Sequence, residues 1–317
     1  MKKNISRNIL FVIAFSILIY LILMIYAGLE QILEALHNFS WPYLFLILSA
    51  ITAGTLIRFG RWHYYCHVIK IKVNLKDSLI IFLASFGLGI IPAKLGDFSK
   101  SYFLKKKNEV PISLSAPIVI VERLTDLLAM VILVFIGSLA FHYSLVLPFF
   151  LFLFLTLCLI LIRWRKLMLR VIGFFAKKKI TAGIAIKLKK IYFSTYQLLN
   201  PKSTSLALGS SVIAWFLESC AFYLIFQGLR APISLLESTF IYSLSTIIGA
   251  LTFLPGGIGT MEGTMLFLLS SIGINKAQAG CSILIIRLCT FWFGVLLGNT
   301  ILLLQSGGLM RRKKLYF

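Results

Sequence analysis

Acidic residues are scarce in this chain: 10 Asp and Glu stand against 32 Lys and Arg over 317 residues. Charge of either sign is also scarce, at 13% of residues, where a soluble domain carries roughly 25%. The hydrophobic share is 59% and the mean hydropathy +0.95. Such a composition excludes a soluble domain, because the apolar mass has to reside in lipid. A net charge of +22 invites a nucleic-acid reading. That reading needs basic residues on a water-exposed face, and too little of this chain is exposed to water. Nucleic acid is therefore excluded as a partner, and the positive charge reads as membrane topology.

Cysteine is sparse and unpatterned. Cys66, Cys158, Cys220, Cys281 and Cys289 fall in apolar stretches without C-x-x-C spacing, which argues against a disulfide framework or a zinc site. His63 and His67 stand at i,i+4 without a third ligand nearby, so no metal is expected. A Walker A loop, a G-x-S-x-G elbow, a zinc-protease motif and a Rossmann fingerprint are all missing. Neither ATP-driven transport nor a cofactor is expected.

What is there is a series of apolar runs. After Lys2, Lys3 and Arg7, the run from Ile9 to Leu29 is too long for a signal peptide and reads as a retained first span. Five more runs approach or exceed the roughly 20 residues needed to cross a bilayer: Pro42 to Ile57, Ile112 to Phe141, Leu145 to Ile162, Leu206 to Leu229 and Ala277 to Leu304. Two further regions, Leu79 to Leu104 and Leu235 to Ile274, are each broken by proline and glycine. The breaks are Pro92 to Gly96 and Pro255-Gly256-Gly257-Ile258-Gly259.

Loop charge sets the sides. The N-terminus, the loops holding Arg58, Arg61, Lys70, Lys72 and Lys76 and then Lys94, Lys100 and Lys105 to Lys107, the Arg163 to Lys202 connection and the Arg311 to Lys314 tail are basic and read as cytoplasmic. The Glu30 to Ser40 loop and the His142 to Ser144 turn, without Lys or Arg, read as external. The expected fold is an all-α polytopic membrane protein. It has about six transmembrane helices plus two oppositely oriented re-entrant hairpins in an inverted repeat, both termini cytoplasmic, in the cell membrane. Residues 30–143 form the first repeat, 144–203 a connecting helix and basic loop, and 204–305 the second repeat, within one membrane domain. Discontinuous helices in inverted repeats recur in secondary transporters, where the unwound backbone lines a polar site.

Few ionisable residues fall at membrane depth, where each costs roughly 2.5–3.5 kcal/mol and needs a partner or a function. Glu122 and Asp126 share a helix face, with Arg123 adjacent. They suit a cation or a coupling proton, a pairing with Arg287, or a structural ion-pair network. Glu218 stands alone in an apolar helix, as a pathway carboxylate or a partner for Arg287 or Arg123. Lys94, Asp97 and Lys100 suit a phosphate headgroup, and the two lysines equally suit snorkelling to the interface. Arg58-Phe-Gly-Arg61-Trp62-His63-Tyr64-Tyr65 reads first as an interfacial aromatic belt with positive-inside charge, and second as a contact for anionic lipid heads. The Arg163 to Lys202 connection reads as a topogenic loop or as a basic helix on an anionic leaflet.

The motifs Pro92-x-Lys-x-Gly-Asp97-x-x-Lys100, Glu122-Arg-x-x-Asp126, Pro255-Gly-Gly-Ile-Gly-x-x-Glu262 and Arg287-Leu-x-Thr-Phe-Trp292 together resemble a flippase-like membrane family. That family is represented by the transmembrane region of lysylphosphatidylglycerol synthase, the multiple peptide resistance factor. The resemblance implies movement of a lipid with a charged or glycosylated head between leaflets. By residue matching it points to Asp97, Glu122, Arg123, Asp126, Glu262 and Arg287 as pathway residues. Lys94 departs from the arginine more usual there, exchanging a bidentate grip for a point charge. No soluble aminoacyltransferase domain follows the last span, so synthesis of an aminoacyl lipid is not expected.

The expected function is thus a lipid transporter rather than an enzyme, acting on an anionic or glycosylated phospholipid or polyprenyl-phosphate carrier. Its partners are membrane lipids and a pathway glycosyltransferase or aminoacyltransferase. Two alternatives stand beside it: a membrane-embedded transferase or accessory subunit with Glu122 or Asp126 as base, and a non-catalytic envelope-assembly protein.

Overall fold

A computed structural model of the chain describes residues 2–91, 96–140, 146–176 and 182–305. Pro92 and Lys94, the His142–Ser144 turn and the Arg311–Lys314 tail lie outside these described residues. All regular structure among them is helical. Helix α1 (Lys2–Ala27) turns through 87° at Gly28, which has φ 81°, into the short α2 (Leu29–His37). Two long helices follow the same design: α3 (Pro42–Val68) and, later in the chain, α10 (Pro201–Gly228), each with proline in its first turn, where the missing N–H costs nothing. They pack antiparallel. The Ser40 N–H donates to the Gly228 carbonyl at 3.0 Å at one end, Gly54 lies against the Ala214 carbonyl in the middle, and Tyr64 Oη is 3.0 Å from Ser203 Oγ at the other.

Between and after them come α4 (Leu75–Phe86), α5 (Ser99–Asn108), α6 (Ile112–Gly137), α7 (Val146–Arg163), α8 (Arg165–Ala176) and α9 (Ala182–Leu198). Beyond α10 lie α11 (Leu235–Leu251), α12 (Thr260–Ser271), α13 (Lys276–Arg287), a π-helical turn (Leu288–Trp292) and α14 (Phe293–Leu304). Three stretches, Pro42–Val68, Pro201–Gly228 and Lys276–Leu304, are long and apolar enough to cross a membrane, and the bent pairs α1–α2 and α7–α8 raise the number to as many as five. Helix α6 matches them in length, with 26 residues, but carries Glu122, Arg123 and Asp126 at its middle.

Local structure matches between the stretches starting at α3 and at α10. Arg58 and Glu218 are 160 residues apart, and the same interval relates Lys70 to Arg230, Asn74 to Ser234 and Asp77 to Glu237. Lys70 and Arg230 both take positive φ, at 58° and 53°, and end their helices in the same turn, with Ile71 N–H on the Cys66 carbonyl and Ala231 N–H on the Phe226 carbonyl. Asn74 and Ser234 then cap the next helix through the N–H of Asp77 and Glu237. The helices that follow are short. Helices α4, α5 and α12, of 12, 10 and 12 residues, extend only about 15–18 Å at 1.5 Å per residue, well short of a bilayer. Helix α11, at 17 residues, falls just under it.

Three expectations are corrected. The second span does not stop at Ile57: the helix continues to Val68, because Arg58 and Arg61 find partners inside the protein and do not mark the lipid interface. The Glu30 to Ser40 stretch is mostly the helix α2, whose Ile32 is buried against α13 beside Gly280. The described part of the Arg163 to Lys202 connection is largely helical. Its α9 packs on α6 and buries Tyr192 and the Leu198 and Leu199 that end it.

Two helix crossings close the bundle, α4 on α14 and α11 on α6, each through a glycine where backbones nearly touch. A Cβ on Gly298 would lie 2.0 Å from the Gly87 nitrogen, and one on Gly137 would lie 2.6 Å from the Phe240 nitrogen. Gly298→Leu therefore forces α14 off α4. We expect loss of the monodisperse folded species, an effect of 3 kcal/mol or more by the usual ~1–3 kcal/mol scale of overpacking with backbone as the obstacle. Gly263→Ala, with open space around it, leaves thermal unfolding in detergent unchanged or raises it by up to ~1 kcal/mol.

Candidate functional site

The embedded charges gather along the inner faces of α3, α5, α6, α10, α12 and α13, in four clusters. In the first, Arg61 of α3 is buried and its Nη1 donates to Asp126 Oδ1 of α6 at 2.7 Å and to Ser211 of α10. Ser211 donates to the same carboxylate oxygen at 3.1 Å. Asp126 Oδ2 lies 3.5 Å from Arg123 Nη2, whose Nε lies 3.3 Å from Asp97 Oδ2 in the segment leading to α5. A chain of alternating charge thus runs from the buried Arg61 to the half-exposed Arg123 and Asp97.

The second cluster is the pair Lys100–Glu122, 2.5 Å apart and nearly inaccessible, with the ammonium 4.7 Å from the centre of the Trp62 ring. The third joins Arg58 to Glu218 at 2.5 Å, with Glu218 Oε2 also accepting from Tyr242 Oη at 2.6 Å and the Arg58 guanidinium 4.3 Å over Trp215. The fourth surrounds the break between α11 and α12. There Phe253, Gly256, Gly257 and Gly259 all have positive φ, and the backbone turns back on itself. Glu262 accepts from the Gly259 N–H at 2.7 Å and lies 2.7 Å from Arg287 Nε, while Arg287 Nη2 donates to the Gly256 carbonyl at 2.8 Å. Tyr20 of α1 reaches the same carboxylate at 3.4 Å and accepts from Trp292 Nε1 at 3.1 Å.

Two cavities meet among these groups. One, of about 480 Å³, is lined mainly by apolar side chains of α3, α4 and α14 together with Arg58, Asp97 and Glu218. The other, of about 190 Å³, is lined by Glu218, Tyr242, Gly256, Gly257 and Arg287. Glu218, Thr290 and Phe291 line both. The π-helical turn carries the last two of these, and such turns are frequent at functional sites. A third hollow of about 440 Å³, almost wholly apolar, lies between α1 and α13 and reaches Tyr20, Arg287 and Trp292. A larger open hollow of about 930 Å³, lined by Gln31, Glu34, Asn38 and Lys276, shares no lining residue with the first two.

Of the residues singled out in the sequence, Asp97, Arg123 and Asp126 form one network, Lys100 and Glu122 a second, and Glu262 and Arg287 a third. The structure does not bring Arg287 to Glu122 or Asp126, and it gives Glu218 to Arg58 rather than to Arg287 or Arg123. Lys100 does not snorkel, since its ammonium is buried on Glu122. The break glycines Gly96, Gly256, Gly257 and Gly259 stand where backbone crowds or reverses: a Cβ on Gly96 would fall 1.9 Å from the Leu88 carbonyl oxygen. Sequence reasoning missed Arg58 and Arg61 as members of the site. Their signal was the i,i+3 spacing, which puts both on one face of a helix allowed to continue past Ile57. Tyr20, Ser211 and Tyr242 left no sequence signal. His63 and His67 meet through their Nε2 atoms at 3.1 Å, and no group of three or more His, Cys, Asp or Glu converges among the described residues.

The pairing has an energetic consequence. Removing one partner of a buried pair strands a charge, at about 3–5 kcal/mol, whereas replacing both with apolar groups is often neutral. Lys100→Met alone should lower unfolding stability by that amount, and Lys100→Met with Glu122→Met should recover most of it. Denaturant titration of the purified protein measures both.

Comparison with known proteins adds a lineage. The family profile described as the lysylphosphatidylglycerol synthase transmembrane region matches residues 12–298. A UPF0104 membrane protein of Methanocaldococcus jannaschii is 26% identical over 71% of this chain and 96% of its own length. A second from the same organism is 22% identical over 99% of each chain. One from Pyrococcus horikoshii is 24% identical over 92% of this chain and 95% of its own.

Proposed function

Because this chain belongs to the lysylphosphatidylglycerol synthase transmembrane-region family, we propose that it is a lipid transporter, moving a lipid with an anionic or glycosylated head between membrane leaflets. The observation that carries this reading is the pair of adjoining cavities inside a helical bundle, walled by apolar side chains and sharing Glu218. Arg58 lines the larger cavity and Arg287 the smaller, so both contain a cation. A headgroup needs a polar, charge-bearing route, and its acyl chains need apolar walls; the larger cavity offers both.

In this reading the stretches starting at α3 and α10 are the cores of two inverted repeats, spanning 30–143 and 204–305 and joined by 144–203. Their short helices, α4 with α5 and α11 with α12, are oppositely directed re-entrant hairpins beside about six spans. The protein sits in the cell membrane with both termini cytoplasmic. Antiparallel packing of the matched helices α3 and α10 supports the inversion, and the broken backbone at 252–259 suits a segment that lines a cavity and avoids lipid. Alternating access then amounts to rocking of one half against the other about a fixed central site. A transferase is less well supported. A general base needs a free carboxylate, and Glu122 and Asp126 are both held in short ion pairs.

Reconstitution in liposomes with fluorescent lipids of several headgroups tests the proposal. Leaflet exchange should exceed that of empty vesicles for at least one anionic or glycosylated lipid, and should fall about 10-fold or more in Asp126→Asn and Arg287→Gln, each of which removes a charge-assisted hydrogen bond. Exchange no faster than in empty vesicles across all headgroups sinks it.

A further inference from the structure

We propose that Arg58 is the receptor for the phosphate oxygens of a lipid phosphodiester entering the 480 Å³ cavity, and that Glu218 is the internal anion it displaces. The setting rests on the transporter reading above, but the binding itself does not require transport. Three observations carry it.

Arg58 has five N–H donors, and its Nη1 donates to Glu218 Oε1. Its Nε and Nη2 are buried without an acceptor among the described residues. Unsatisfied donors on a buried cation are costly, so an incoming acceptor is favoured there. The guanidinium is also held flat over the Trp215 ring at 4.3 Å. That stacking fixes the plane of the fork, and the two free donors match the two unbridged oxygens of a phosphodiester.

The cavity supplies the rest of the ligand's chemistry. Around Arg58 its walls are largely hydrocarbon, including Leu56, Phe59, Phe86 and Phe293. Such a lining suits the glycerol and acyl portion of a lipid and disfavours a free, fully hydrated phosphate ion. Asp97 and Glu218 are the carboxylates that line the cavity, and Asp97 is occupied by Arg123.

Position does the remaining work. Arg58 and Glu218 occupy matched places in α3 and α10, and Glu218 lines both cavities. Their ion pair is therefore part of the partition between the two. A phosphate seated on Nε and Nη2 competes with Glu218, on Nη1, for the single positive charge of Arg58, and Glu218 keeps its second anchor on Tyr242 Oη in the smaller cavity. Headgroup binding and loosening of the partition become one event.

The test is equilibrium binding of a short-chain phosphatidylglycerol to the purified full-length protein in detergent. Dioctanoylglycerol and inorganic phosphate serve as competitors, and size-exclusion profiles check folding. Arg58→Gln should weaken binding about 10-fold or more, and Arg58→Lys should weaken it less, because it keeps the charge and loses the fork. Glu218→Gln should tighten binding, since it removes the competing anion; a merely structural ion pair predicts that Arg58→Gln and Glu218→Gln leave affinity alone or weaken it together. Inorganic phosphate at matched concentration should not displace the lipid. Unchanged affinity in a folded Arg58→Gln, weakening in a folded Glu218→Gln, or full displacement by inorganic phosphate or by dioctanoylglycerol each overturns the assignment. A result in line with expectation, found together with liposomes that show no exchange, would leave this site standing and remove only the transporter reading.

Discussion

The constraint on which the rest of this structure depends is that a charge inside a helical bundle must meet its opposite there. Asp126 shows the rule at work. Its two oxygens are shared between Arg61, Ser211 and Arg123, so one carboxylate ties α3 and α10 to α6. A long helix with three ionised groups at its centre would be a poor membrane span by composition, at roughly 2.5–3.5 kcal/mol per charge. Helix α6 is viable because every one of those groups is turned toward a partner: Glu122 toward Lys100, Arg123 toward Asp97, Asp126 toward Arg61. The network therefore fixes the rotation of α6 and the depth at which α5 can stop. Apolar packing, which is indifferent to small rotations against lipid, supplies no such register.

The same constraint explains how the two matched stretches interlock. Helix α4 of the first packs on α14 of the second, and α11 of the second packs on α6 of the first, each stretch thereby completing the other. Close approach at Gly298 and Gly137 brings backbone against backbone at these crossings. Where side chains are reduced to hydrogen, helices gain dispersion contact over a long seam without needing polar groups. Helix α6 serves both ends of this arrangement, with Glu122 and Asp126 on its partners of opposite charge and Gly137 at the crossing with α11.

Much of this was legible in the sequence. The membrane residence and the all-helical class followed from hydropathy, the break around Pro255 from its proline and glycines, and the ion pairing of Glu122, Arg123 and Asp126 from the rarity of charge at that depth. The misplaced end of the second span has a clear physical origin. Loop positive charge was taken to mark the ends of spans, and that rule holds only when a Lys or Arg has no internal carboxylate. Arg58 and Arg61 have Glu218 and Asp126, which are distant in sequence, so the helix runs on past them. Partner choice was illegible for the same reason. Which carboxylate meets which cation is decided by the antiparallel packing of α3 and α10, and no local pattern encodes that packing.

Each of the two matched stretches ties a short helix to a neighbouring helix through an ion pair, with the charges exchanged between them. In the first, the short helix α5 gives the cation Lys100 and the long helix α6 the carboxylate Glu122; in the second, α12 gives Glu262 and α13 gives Arg287. The exchange has consequences because Arg and Lys are not equivalent donors. Arg287 has donors to spare beyond its carboxylate and uses one on the Gly256 carbonyl, so the second break is pinned to a spanning helix through its own backbone. The ammonium of Lys100 turns its remaining face to the Trp62 and Phe82 rings. Glu262 also accepts from the Gly259 N–H and so caps the helix it starts, whereas Glu122 stands mid-helix and has no such duty. The second break is accordingly cross-braced at Gly256 and Gly259, while Asp97, at the exit of the first, is held by Arg123 of α6.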